Sequence, residues 1–164
     1  MLLEKRTSKL NGEIKVTKSF GRVSVWVGGF QQSGPLVAKA WQKGISKVAK
    51  AERILVLGLG CGSIAPLLIK KFPDAKITGL EIDPIIIEIG KKYFGLDKYK
   101  NLKIVNSDAN KFTMKEQFDL VIIDMYKGGE SRINRDFSKL LKKGGTGIIN
   151  RLENLKNKME FFYA

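Results

Sequence analysis

The sequence predicts an α/β fold, a Rossmann-like three-layer α/β/α domain built on a mainly parallel sheet. Three observations predict it. From residue 53 onward, short apolar runs alternate with amphipathic segments. The first run passes directly into a glycine-rich turn, Gly58-Leu59-Gly60-Cys61-Gly62. Acidic residues then stand at the ends of later runs: Glu81, Asp108 and Asp124. Strands alternating with helices imply parallel βαβ units with right-handed crossovers and covered faces.

Residues 1–34 read as an N-terminal extension carrying a β-hairpin over 12–30. Ile14 and Val16 alternate with charged residues, and Val23, Val25 and Val27 repeat at period two. Ser19-Phe20-Gly21-Arg22 supplies the turn between them. Residues 35–164 read as the Rossmann-like domain. It opens with a helix over 35–49, because Pro35 suits a first turn and Leu36, Val37, Ala40, Trp41, Ile45 and Val48 share one face.

Arg53–Leu57 is apolar after its first residue, as a strand buried on both faces should be. A helix over 64–72 follows, with Ser63 as its expected cap. Lys76–Ile82 is the second strand, and Asp83-Pro84 opens the next helix with a capping acid and a proline at the first helical position. Leu102–Asn106 and Leu120–Asp124 are further strands. Ser131–Lys142 reads as a helix stopped by Gly144-Gly145, and Thr146–Asn150 as the fifth strand. The expected strand order is 3-2-1-4-5. Thirteen residues follow Arg151, so the C-terminal part reads as abbreviated. Its Phe161, Phe162 and Tyr163 are expected either to cover a sheet edge or to contact a second subunit in a homodimer.

Composition narrows the function. Thirty Lys and Arg against sixteen Asp and Glu give a net charge of +14, which attracts polyanions. The partner is therefore either a small-molecule acceptor or a polyanion such as nucleic acid. One cysteine and no histidine exclude a disulfide within the chain, a zinc site of Cys and His, and a histidine base. A lone cysteine fits a cytoplasmic location. No stretch of about 18 apolar residues is present, so no membrane span is expected.

The chemistry gathers at strand ends. Glycines at 58, 60 and 62 let the chain turn sharply and let a ligand approach the backbone. Ser63 stands where a dinucleotide-binding pattern wants glycine, which favours an adenosyl sulfonium over a pyrophosphate. Glu81 lies 81 − 62 = 19 residues beyond Gly62, close to the interval for an acid that accepts from ribose hydroxyls. Asp108, with the Ala109 amide beside it, is placed to read an adenine amino group. Asp124 ends the fourth strand and points into the cleft, where a carboxylate can take a proton or hold an ammonium group. Tyr126 can hydrogen-bond or stack on a substrate.

With these residues in view, the chain resembles the class I S-adenosylmethionine-dependent methyltransferase superfamily, and within it best the spermidine synthase-like branch. Three passages carry the resemblance: NGEIKVTKSFGRVSVWVGGFQQSG, VLGLGCGS with LEIDP, and FDLVIIDMYKGG. It implies S-adenosylmethionine or its decarboxylated form as cofactor. It implies contact by Gly58, Gly60 and Gly62, ribose binding by Glu81, adenine contact by Asp108 and a place for Asp124 near the transferred group. It also implies that Gln32 lines the same pocket. Two positions depart from the aminopropyltransferase pattern: Cys61 replaces an acid in the glycine loop, and Lys127 replaces a second acid beyond Asp124. The expected function is transfer from S-adenosylmethionine, with methyl transfer favoured, aminopropyl transfer the alternative, and a non-catalytic adenosyl-binding module the third reading.

Overall fold

The computed structural model describes residues 1–127, 130–153 and 156–164. The expected hairpin is present but belongs to a larger antiparallel sheet: β1 (Leu2–Ser8), β2 (Gly12–Ser19), β3 (Arg22–Val27) and β4 (Phe30–Ser33), in the order β1-β2-β3-β4. The predicted turn is in place, with Ser19 paired to Arg22 across it.

The second sheet is assembled from β5 (Arg53–Leu57), β6 (Lys76–Glu81), β7 (Leu102–Asn106), β8 (Phe118–Ile123), β11 (Leu141–Glu153) and β12 (Lys156–Tyr163). Two short strands, β9 (Tyr126–Lys127) and β10 (Glu130–Ser131), pair with each other after β8. The order is β12-β11-β8-β5-β6-β7. That is the expected 3-2-1-4-5 arrangement with a further strand, β12, antiparallel on β11. The apolar tail forms this strand. Its alternation sends Phe161 to one face of the sheet and Phe162 to the other. Gly147 leaves room for the Phe162 ring, since a Cβ there would lie 2.0 Å from it.

The sheet separates two cores. Ile54, Val56, Leu120, Ile122 and Ile148 meet Trp41 and Ile45 of α1 (Pro35–Ser46) and Leu68 of α2 (Ala65–Lys71). Leu55, Leu57, Leu80, Val121 and Ile123 face the opposite way. Helix α3 (Pro84–Phe94) carries Ile86 and Ile89 against Ile14, Val16, Val25 and Val27, so the N-terminal sheet rests on it. Asp83 caps α3 as expected, accepting from the Ile85 N–H at 2.9 Å, and Gly95 ends it in the left-handed region. Among the described residues, no helix is long and apolar enough to cross a membrane.

The predicted helix over 131–142 is absent, and the layer over this second face is coil with a single 3-10 turn at Ser138–Leu140. Ile133, Phe137, Leu140 and Leu141 still reach the core, so their helical spacing is satisfied without a helix. Side chains compete with helical hydrogen bonds there. The Asp136 carboxylate accepts from the Ser138 N–H at 2.8 Å, and the Asn110 side-chain oxygen accepts from the Asn134 N–H at 3.3 Å. Arg135 donates to the carbonyls of Asn110 and Phe112. Gly144 is therefore no helix stop. It sits at φ 76° within β11, where the register against β8 shifts between Leu141 and Thr146. Ser63 is not a cap either: α2 begins at Ala65, and the Ser63 hydroxyl instead accepts from the Gly34 N–H at 2.8 Å.

Candidate active site

The carboxyl ends of β5, β6 and β8 open on one cavity of about 680 Å³, within the range for small-molecule sites. Gly58, Gly60, Glu81, Asp108, Ala109, Asp124, Tyr126 and Gln32 all line it. Gly62 is placed differently. It does not line this cavity, and a Cβ there would meet Leu96 at 2.1 Å. Its φ of 88° and that close packing account for the glycine without a ligand.

The glycine loop is fixed by backbone bonds. The N–H groups of Gly58 and Leu59 donate to the Leu80 carbonyl at 3.0 and 2.8 Å, tying the loop to β6. The next residue in β6, Glu81, answers through its side chain. Oε2 accepts from the Gly60 N–H at 2.9 Å and Oε1 from the Asp83 N–H at 3.0 Å. An ionised carboxylate has about four acceptor positions, so capacity remains for a ligand. Burial pushes the Glu81 carboxyl above the ordinary range, and the Asp83 and Gly60 amides oppose that rise.

The N-terminal sheet reaches the same place. Ser33 at the end of β4 accepts from the Cys61 N–H at 3.0 Å. Ser8 and Asn11 both donate to Asp83 Oδ2, the latter at 2.6 Å. Asp83 thus caps α3, holds the first sheet and orients Glu81 through its own N–H. Cys61 is fully buried among residues of α3 and the first sheet, and burial pushes its thiol up to about 12. That environment gives it a packing role.

At the far end, Asp124 is flanked by two donors. Trp41 Nε1–H donates to Oδ2 at 2.7 Å, and the Asn150 amide donates to Oδ1 at 2.9 Å. Burial raises the Asp124 carboxyl from its usual value, while Asn150 and then Trp41 act to lower it. Tyr126 donates its hydroxyl to the Asn150 carbonyl, so its ring is fixed over the same strand end. Asp108 accepts from the Asn110 N–H at 2.9 Å in a turn after β7. Ile82, 44% exposed, offers an apolar wall beside Glu81. The side chain of Lys127 lies outside the described residues.

Trp41 and Asn150 were not singled out by the sequence pattern. A signal for Asn150 exists: Ile149 pairs with Ile123 in parallel register, so Asn150 stands beside Asp124 at the strand ends. Trp41 reads as a core residue, and it is one, but its indole N–H needs a partner when buried.

A family model described as a methyltransferase domain matches residues 50–162. A polyamine aminopropyltransferase of Vibrio vulnificus is 28% identical over 119 residues, 65% of this chain and 40% of that protein. An eEF1A lysine and N-terminal methyltransferase homolog of Drosophila melanogaster is 36% identical over 77 residues, 44% of this chain and 11% of that protein. The chain spans less than half the length of either relative. Among solved structures, a probable spermidine synthase from Corynebacterium glutamicum superposes with a TM-score of 0.65 at 18% identity, covering 92% of this chain and 63% of that one.

Proposed function

The chain belongs to the methyltransferase-domain family of the class I S-adenosylmethionine-dependent superfamily, and from that premise we propose that it is an S-adenosylmethionine-dependent methyltransferase. The observation that carries the reading is the Glu81 carboxylate. It is buried beside the glycine loop, oriented by two backbone N–H groups, and left with acceptor capacity on the cavity side. Such a group suits a vicinal diol, whose two hydroxyls donate to one carboxylate.

The residues present fit the cofactor along the whole cavity. Glu81 would hold the ribose, Asp108 and the Ala109 amide the adenine edge, Ile82 the adenine face, and Gly58 and Gly60 the stretch between ribose and sulfur. When bound, the cofactor supplies a methyl group on an electrophilic sulfonium. The chain's own residues orient, shield and handle charge. Asp124, at the end of β8, sets a carboxyl group at the inner end, where an incoming nucleophile loses a proton. Trp41 and Tyr126 line the same end, and electrostatic interactions are stronger where apolar walls replace water. In-line displacement draws most of its acceleration from such positioning.

Aminopropyl transfer is the second reading, favoured by the likeness to the Vibrio protein over 65% of the chain. Opposing it, Cys61 and Lys127 occupy positions where that branch carries acids. Isothermal titration with S-adenosylmethionine, decarboxylated S-adenosylmethionine and methylthioadenosine separates the two. The expected result is tightest binding of S-adenosylmethionine. Preference for the decarboxylated form would transfer the assignment to aminopropyl chemistry, and binding of none would remove both.

A further inference from the structure

Asp124 and Asn150 differ in how well they are satisfied. Both oxygens of the Asp124 carboxylate have a donor, one from Trp41 and one from Asn150. Asn150 is 4% exposed and gives its amide N–H groups to two acceptors, Asp124 Oδ1 and Asn157 Oδ1, the latter at 2.8 Å. Among the described residues, its own side-chain oxygen is buried without a partner. An unpartnered buried carbonyl is costly and calls for an explanation. Turning the amide over would not relieve it, because the oxygen would then face the Asp124 carboxylate at Oδ1. The side chain is committed to donating, at the expense of its own oxygen.

We propose that Asn150 is a positioning residue which, with Trp41, clamps the Asp124 carboxylate so that the inner end of the cavity carries an acid held in one position and favoured in its ionised form by two donors. The clamp rests on the reading of Asp124 as the residue beside the transferred group. Its geometry comes from three separate elements. Trp41 arrives from α1, Asn150 from β11, and Asp124 follows β8, so neither donor follows the carboxylate if it swings. Asn157 on β12 fixes the amide of Asn150 from the outer side. Two neutral donors offset the desolvation of a buried carboxylate without adding a countercharge. The charge therefore remains available to a cationic group of a ligand. Among the described residues, the other charged side chains on this cavity are Glu81, Asp108 and Arg132, and Arg132 is paired with Glu130.

Trp41 supplies the readout. Its indole N–H donates to the carboxylate itself, while the other tryptophan, Trp26, donates to Thr17 Oγ1 at 3.0 Å in the first sheet. In the free, ¹⁵N-labelled protein, the two indole signals are followed from pH 4 to pH 9. The Trp41 signal is expected to report protonation of Asp124, and the Trp26 signal to stay fixed as the folding control. In Asn150→Leu the Trp41 midpoint is expected to move up by about one pH unit. Asn157→Ala alters an exposed side chain and leaves both clamp residues in place, so it tests the same chain if Asn150→Leu does not fold. Its midpoint is expected to rise by a smaller amount. Identical Trp41 titrations in wild type and the folded variants would overturn the proposal. The titration uses no cofactor, so failure of the methyltransferase reading shows only in the calorimetry and failure of the clamp only here.

Discussion

A methyl group placed on Gly58 would stand 2.2 Å from the carbonyl oxygen of Asp124. The turn after β5 and the end of β8 therefore touch through backbone alone, and the cavity floor has no room for a side chain. Gly58 also has φ 84°, a region that costs an L residue about 1–2 kcal/mol. Gly58→Ala should lose about 3 kcal/mol, strain and overpacking together. Gly21 has φ 77° but nothing within 4 Å of a Cβ, so Gly21→Ala should lose only about 1 kcal/mol. Urea denaturation of both variants measures the difference. Equal losses would mean that the contact with Asp124 is not a constraint.

Glu81→Ala should weaken S-adenosylmethionine binding by about 1–3 kcal/mol through loss of ribose hydrogen bonds. Unchanged affinity in a folded variant, by calorimetry, would remove Glu81 from the site. The wild-type pH profile follows from the upward shift of this carboxyl. A raised value means protonation begins at a higher pH than for an ordinary carboxylate, as pH falls. Affinity should therefore decline on the acid side before model carboxylates titrate.

Cys61 should be inert in the folded protein. The thiolate is the reactive form, and a thiol pushed up to about 12 supplies almost none of it at pH 8. With full burial added, labelling by an aromatic disulfide reagent should require opening of the contact between α3 and the first sheet. Rapid labelling under native conditions would contradict the burial. Labelling that tracks urea concentration makes this thiol a reporter of that contact.

Glu4 joins β1 to α3 by accepting from Lys92 and Tyr93, each at 2.7 Å, and by pairing with Arg6. These partners, Lys92 first, hold its carboxyl at about 2 against an ordinary 4.5. For a depressed acid, the stabilisation is present above 4.5 and is lost as pH falls from there through about 2. The pairs sit near solvent, so screening limits the effect to roughly 1 kcal/mol. Glu4→Gln should lower stability by that amount at pH 7 and by about half as much at pH 3. Equal differences at both pH values would show that the pairing contributes nothing.

The parallel sheet is legible in the sequence because each strand has a local signature. Arg53–Leu57 and Leu102–Asn106 occur with the predicted limits, since a short apolar run bounded by polar residues has few other uses in a chain of this length. Asp83-Pro84 announces α3 through groups that act within two residues. The segment over 131–142 misleads because its apolar spacing is real but its polar groups are satisfied by Asn110 and Asp136, one of them outside the segment. β1 escapes notice because LLEKRTS has a partner only after β2 has turned back. The strand-end acids are legible as a set. The clamp around Asp124 is not, since Trp41 lies 83 residues away in the chain.

The bonds from Ser8 and Asn11 to Asp83 close loops of 75 and 72 residues, and Glu81 takes its orientation from the residue they hold. Closing loops of that length costs entropy that the contacts must return, as the pairing of Ile54 with Leu120 does within the parallel sheet. Before the first sheet docks, Glu81 has the Gly60 N–H to hold it, but Asp83 lacks the two side chains that fix it. If the first sheet docks after the rate-limiting step, a ligand that needs this acid in place should slow unfolding and leave the folding rate unchanged. The first thirty-four residues, which contain none of the strands of the parallel sheet, are then expected to set how long an occupied molecule survives.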